Sequence, residues 1–144
     1  MENQVIRIGS VGVGGIWSGV HEPGIRKSPN LELVAICDID REKLDAVGEK
    51  CGIPAERRFT DYHDLIRCPD VDAVDICLPT FLHEQYALLA AKYKKHILCE
   101  KPVTLSLEAL DRMLHAAEEA GVQFAVGQAV RFWPEYVKAK ELYD

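Results

Sequence analysis

Runs of consecutive apolar, mostly β-branched residues recur along the chain. Between them lie segments whose apolar positions repeat every three to four residues. Val5-Ile6-Arg7-Ile8-Gly9-Ser10-Val11 enters a glycine cluster, as a buried strand enters a tight turn. The pattern predicts a helix over 14–27, stopped by Ser28-Pro29-Asn30, and a second strand over 31–37. Asp40 then caps a helix over 41–50, with Gly52 at the left-handed position past its end. A short strand at 58–59, a helix over 62–67 capped by Asp61, and a strand over 73–78 follow. A helix over 82–93 puts Leu82, Tyr86, Leu89, Ala90 and Tyr93 on one face. After a strand at 96–99, a helix over 107–120 carries the stripe Leu110, Met113, Leu114 and Ala117, ended by Gly121. A sixth strand over 123–127 and a helix opened by Pro134 complete the order.

Strands that alternate with helices, and that read as continuous apolar runs, indicate a parallel sheet covered on both faces. The expected fold is therefore α/β: a doubly wound, Rossmann-like sheet of about six strands in a single domain. The 144 residues suit that size, and 48% hydrophobic residues with a mean hydropathy of −0.08 provide an ordinary globular core. A net charge of −6 argues against nucleic acid or an anionic membrane as partner, since both are gripped through clustered Lys and Arg. The short run Lys92 to Lys95 reads as a solvated helix end. Five cysteines without a C-x-x-C pair read as reduced thiols, and no metal ligands are assigned. The start Met1-Glu2-Asn3-Gln4 has no leader pattern, and no apolar stretch reaches spanning length, so a soluble, cytoplasmic protein is expected.

Gly12-Val13-Gly14-Gly15-Ile16 lies between the first strand and the first helix. In a dinucleotide-binding fold the first glycine of such a turn makes the bend, the second admits a pyrophosphate to the backbone, and the helix N-terminus adds its dipole. A lone G-x-G is weak; the strand before, the helix after and the acid Asp38 at the end of strand two supply the context. Asp38 has two readings, as acceptor for an adenosine ribose or as a cap of the following turn, for which Asp40 is better placed. A carboxylate within about 4 Å of a 2′-phosphate repels it by roughly 1–4 kcal/mol, which favours NAD over NADP. Arg41 complicates that preference, being able to pair with a phosphate, lie over adenine or remain solvated. Trp17 occupies the third small position of the turn, where an indole has to point away from the strand or push the helix outward. His21 reads as structural or solvent-facing.

Three further motifs stand at strand ends, where open α/β sheets bind ligands. They are Leu78-Pro79-Thr80-Phe81-Leu82-His83, Glu100-Lys101-Pro102, and Gln128-Ala129-Val130-Arg131-Phe132-Trp133-Pro134. With the glycine turn and Cys37-Asp38, they make the chain resemble the N-terminal part of the glucose-fructose oxidoreductase, inositol dehydrogenase and MocA family over essentially its whole length. The resemblance implies an NAD(P)-dependent oxidoreductase. Lys101 would be the catalytic lysine beside the nicotinamide, bonding the reacting hydroxyl or carbonyl. Glu100 would hold the nicotinamide ribose or orient that lysine. Leu78, Pro79, Thr80 and His83 would line the cofactor, with Gln128, Arg131 and Trp133 on the far side of the pocket. Against this stand plainer readings: Glu100 and Lys101 as a surface ion pair, His83 as a helix-start residue, Trp133 as core, and Arg131 paired with an acid such as Asp75.

Family members continue into a second α/β domain that carries the substrate pocket. The expected division is an NAD(P)-binding domain over 1–133 and, over 134–144, the start of a connection to a substrate domain absent here. Such a chain is expected to bind cofactor without efficient turnover, the small-molecule substrate belonging to the full-length enzyme. Tyr136, Val137 and Leu142 are expected to stay partly exposed, giving fraying or homo-oligomer contacts at that end. A stand-alone NAD(H) sensor is the rival reading. A ligand-free scaffold leaves the glycine turn, Asp38 and Lys101 unexplained together.

Overall fold

The computed structural model describes residues 5–144; Met1-Glu2-Asn3-Gln4, on which the expectation about a leader rests, lies outside the described residues. Six strands, β1 (Ile6–Val11), β2 (Leu31–Cys37), β3 (Arg58–Phe59), β4 (Ala73–Ile76), β5 (His96–Cys99) and β6 (Phe124–Val126), form one sheet in the order β3-β2-β1-β4-β5-β6. Every neighbouring pair is parallel. The doubly wound α/β fold expected from the alternation is the fold of the chain. The helices are α1 (Glu22–Lys27), α2 (Arg41–Cys51), α3 (Tyr62–Arg67), α4 (Thr80–Lys92), α5 (Leu107–Ala120) and α6 (Pro134–Tyr143). Among the described residues no helix is long and apolar enough to cross a membrane.

The central strands β1, β2 and β4 feed cores on both faces of the sheet, because successive side chains alternate faces. Val11, Val74, Ile76, Ile97 and Cys99 pack with Leu65 and Ile66 of α3, Ala87, Ala90 and Ala91 of α4, and Met113 of α5. On the opposite face, Ile8 and Ala73 meet Ile25 of α1, while Ile36 meets Leu44 of α2 and Trp17. Caps fall where the sequence places them. Asp40 accepts from the Lys43 N–H, Asp61 from His63 and Ser106 from Ala109, and Gly52 and Gly121 take left-handed conformations.

Five expectations need correction. The helix over 14–27 is not uniform: Trp17–His21 is a π-helical turn, closed by the Glu22 N–H donating to the Trp17 carbonyl five residues back. Trp17 neither points away from the sheet nor pushes the helix off it. It is 1% exposed among Val13, Ile36, Leu44 and Ile53, the widened turn giving it room, and its Nε1 has no hydrogen-bond partner. In α4 the buried line is His83, Ala87, Ala90 and Ala91, with Tyr86, Leu89 and Tyr93 at its flank. Small residues there let helix and sheet approach closely, which a reading by side-chain size misses. In α5 Leu114 is exposed and Ala109 takes its place beside Met113 and Ala117. Lys95 is likewise no solvated helix end, since its ammonium donates to the carbonyls of Cys68 and Val71 at 3.1 and 2.7 Å.

Candidate functional site

All strands being parallel, the segments that follow β1, β2, β4, β5 and β6 meet along one carboxyl edge. Gly12 turns the chain there with φ 82°, and its N–H donates to the Cys37 carbonyl at 2.9 Å. A Cβ on Gly12 would lie 2.5 Å from the Cys77 carbonyl oxygen, so the turn is built against the end of β4. Around Gly14 and Gly15 a Cβ would meet nothing within 4 Å. The two parts of the glycine cluster therefore differ: Gly12 is needed by the fold, and Gly14 and Gly15 leave open backbone at the start of a helix. Ile16 beside them is exposed. The first-turn N–H groups have no acceptor within their own helix.

Asp38 closes over this turn. Its Oδ2 accepts from the Val13 N–H at 3.0 Å and lies 2.8 Å from the Lys43 ammonium, and its Oδ1 accepts from the Asp40 N–H at 3.0 Å. Capping of α2 belongs to Asp40. Three partners on a carboxylate with about four acceptor sites leave room for one more donor, and a second has to displace Lys43. Lys43 is a residue sequence reasoning passes over; its sign was a cation five positions beyond the acid. Arg41 pairs with Asp45 at 2.9 Å on the exposed side of α2.

At the end of β4, Leu78 is half-buried, Pro79 precedes α4 and Thr80 begins it. His83, only 1% exposed, is a clamp and not a pocket wall. Its Nε2 lies 2.7 Å from the Leu78 carbonyl and its Nδ1 3.1 Å from the Pro102 carbonyl, tying two site segments together. The Lys101-Pro102 peptide is cis. Glu100 is buried, and its Oε2 accepts from the Lys101 N–H at 2.9 Å. This is no surface ion pair: among the described residues the Lys101 ammonium has no carboxylate partner, and the lysine is exposed.

Gln128, Arg131 and Trp133 belong to an exposed segment around the 3-10 turn Ala129–Phe132. Trp133 is half-exposed, stacked edge-on to Tyr136 at 6.2 Å, and is not core. Arg131 does not pair with Asp75, which is enclosed elsewhere.

That enclosure is what the sequence reading misses. Asp75 is 1% exposed in β4, beside its register partner Ser10 of β1, whose hydroxyl donates to Asp75 Oδ2 at 3.1 Å. From the π-helical turn, His21 reaches between two acids, with Nδ1 2.8 Å from Asp75 Oδ1 and Nε2 2.9 Å from Glu100 Oε1. The hydrogen bond to Asp75 foremost, then the two carboxylate charges and the bond to Glu100, outweigh burial and hold the imidazole up to about 9. Removing one member of such a buried ion pair typically costs about 3–5 kcal/mol. Cys77 donates to Asp75 Oδ1 at 3.5 Å, and burial pushes its thiol well up. Ligand atoms of His21, Asp75 and Cys77 lie within 4.8 Å of one another, a set of metal-binding types, but both imidazole nitrogens are already engaged by carboxylates. The available sign was a polar pair, Ser10 and Asp75, inside two largely apolar strands.

Comparison with known proteins agrees with this architecture. The family described as an oxidoreductase family with an NAD-binding Rossmann fold, GFO_IDH_MocA, matches residues 6–128. A myo-inositol 2-dehydrogenase from Thermotoga maritima is 37% identical over 139 residues, covering 96% of this chain and 41% of that protein. The WlbA dehydrogenase from Bordetella pertussis, solved with NADH and UDP-GlcNAcA, superposes with a TM-score of 0.90 at 32% identity, over 97% of this chain and 42% of that one. A 3-ketoreductase from Actinomadura kijaniata, solved with TDP-benzene and NADP, gives 0.90 at 26% identity, over 98% and 44%. The chain thus spans about two fifths of the length of the relatives it matches. It belongs to this oxidoreductase family and forms its NAD(P)-binding Rossmann domain.

Proposed function

We propose, from that family membership, that the chain binds a nicotinamide dinucleotide along the carboxyl edge. It would do so as the cofactor-holding part of an oxidoreductase acting on a hydroxyl or carbonyl carbon of a sugar, polyol or related small molecule. The observation that carries the reading is the meeting of the open glycine backbone at Gly14 and Gly15 with the buried Asp38 carboxylate, which accepts from the Val13 N–H of the same turn. Backbone N–H groups of Gly14, Gly15 and Ile16 would hold the pyrophosphate, and Asp38 the adenosine ribose through its remaining acceptor site. This supports NAD ahead of NADP. The Lys43 ammonium on Asp38 softens the preference, because it offsets part of the negative charge a 2′-phosphate would meet. Arg41 would lie outside the adenine.

The nicotinamide supplies the hydride acceptor or donor. Leu78, Pro79 and Thr80 would line its ribose, His83 would hold that segment against the E-K-P turn, and Gln128, Arg131 and Trp133 would close the far side. Lys101 would hydrogen-bond the reacting oxygen and move its proton, an ammonium being suited to stabilise developing oxyanion charge. Its exposed position without a carboxylate partner among the described residues supports that role. It also favours an enzyme over a sensor, which has no use for a lysine there.

Residues 1–133 are read as the binding domain and 134–144 as the start of a connection to a substrate-binding part. In support, Phe132, Tyr136, Val137, Leu142 and Tyr143 are all exposed, and α6 packs mainly on the 3-10 turn before it. Leu98 of β5 is also exposed, on the face of that strand opposite buried Ile97 and Cys99. Calorimetric titration with NADH and NADPH, with a turnover assay on polyols, tests the reading. Binding with a preference for NADH and no appreciable turnover is expected. Absence of binding to both cofactors refutes it.

A further inference from the structure

We propose that His21 is a positioning residue for the nicotinamide end of this site: as a doubly hydrogen-bonded imidazolium it holds Glu100, and through Glu100 the backbone of Lys101. The proposal rests on the cofactor reading above and goes further, in assigning the site an internal proton-dependent support.

The chain of contacts is continuous. Ser10 holds Asp75 at 3.1 Å, Asp75 holds His21 at 2.8 Å, His21 holds Glu100 at 2.9 Å, and Glu100 accepts the Lys101 N–H at 2.9 Å. The path runs from β1 through β4 and the π-helical turn to the segment after β5. Both oxygens of Glu100 are engaged, one on each side, so the carboxylate cannot rotate without giving up a partner. Gly127 completes the pocket, since a Cβ there would stand 3.1 Å from Glu100 Oε1. Distant elements are spent on aiming one carboxylate, while the residue it supports, Lys101, stays exposed.

The arrangement requires the charged form of His21. A neutral imidazole has one N–H, so it can donate to Asp75 or to Glu100 but not to both, and the other buried carboxylate is left facing a lone pair. The groups facing His21 are Asp75 of β4, Cys77 just after that strand and Glu100 just after β5; in the helix that follows, Glu22 is engaged by Arg26. With the folded-state imidazole held up to about 9, above about 6.5 for a free histidine, the support is complete below about pH 6.5. It is lost as pH rises through 9.

The test compares NADH with ADP-ribose, which carries the same adenosine and pyrophosphate without nicotinamide. Affinities of the 144-residue chain are measured by calorimetry from pH 6.5 to 10.5, with the His21 ring proton followed by NMR. The advantage of NADH over ADP-ribose should fall about tenfold, the scale of one charge-assisted hydrogen bond, in step with the His21 signal, while ADP-ribose affinity barely moves. His21→Gln should show the reduced advantage already at pH 7 and no alkaline step. Because that variant leaves two buried carboxylates without their cation, the double variant H21Q/D75N, which removes a charge of each sign, is measured with it and should behave alike. An NADH advantage equal to wild type in these variants, or an alkaline step that persists in them, overturns the inference while leaving the cofactor reading intact. Failure of the wild-type chain to bind either ligand overturns both.

Discussion

Replacing Gly12 by alanine separates what the glycine turn does for the fold from what it does for a ligand. The residue sits at φ 82°, where an L side chain costs about 1–2 kcal/mol. The new methyl group would also lie 2.5 Å from the Cys77 carbonyl oxygen and 3.0 Å from Leu78 Cδ2. The nearer atom is backbone, so β1 and β4 have to part by most of an ångström. Overpacking of that kind costs about 1–3 kcal/mol. Together the two effects give about 2–5 kcal/mol, which for a domain of this size corresponds to roughly 6–15 °C in melting temperature. Gly14→Ala is the control, because a Cβ there meets nothing within 4 Å. Thermal melts followed by circular dichroism should show G12A falling by that amount and G14A within about 2 °C of wild type. G14A should nevertheless weaken NADH binding, since its methyl occupies the backbone surface assigned to the pyrophosphate. A G12A protein as stable as wild type would refute the steric argument. A G14A protein that binds NADH as wild type does would remove the pyrophosphate from that position.

Lys43→Ala should widen the preference for NADH over NADPH by about fivefold, the effect of one screened charge near the 2′ position; an unchanged ratio excludes Lys43 from selectivity. In thiol labelling at pH 8, half-buried Cys51 should react well before Cys37 and Cys99, which are buried and whose thiols burial pushes up to about 12; simultaneous labelling would contradict the packing of β2 and β5. The Arg7 guanidinium, bonded to Asp72 at 2.7 and 2.9 Å, holds that carboxyl down to about 2. Its stabilisation is present above about pH 4 and lost as pH falls through 2, so Arg7→Met should move the acid-unfolding midpoint to higher pH; an unmoved midpoint rejects the pairing. Acrylamide should quench Trp133 and spare Trp17, and an NADH-dependent change in emission should come from Trp133 and vanish in Trp133→Phe.

Element order and topology are legible in this sequence because the buried strands appear as largely apolar runs, and several helices carry a stop or cap, as at Asp40, Gly52, Ser106 and Gly121. Motifs at strand ends are legible for a related reason: a parallel sheet brings its carboxyl ends together whatever the loops contain. What escapes is whatever depends on which side chains meet across the chain. His21 lies 54 residues from Asp75 and 79 from Glu100, and nothing local distinguishes it from a histidine in solvent. Trp17 misleads in the opposite way, since a large residue at a close-packing position looks disruptive until the π-helical turn that accommodates it is seen. His83 reads as a ligand by motif and proves to be a clamp, because both its ring nitrogens meet backbone carbonyls.

The location of the cofactor is tested most directly by an amide NMR titration of the 144-residue chain with NAD. Shifts should concentrate at Gly12 to Ile16, Asp38, Leu78 to Thr80, Glu100 and Lys101, and Gln128 to Trp133, all at the carboxyl edge. Shifts at the opposite edge, around Arg7, Asp72 and Lys95, or none at saturating NAD, would contradict the assignment.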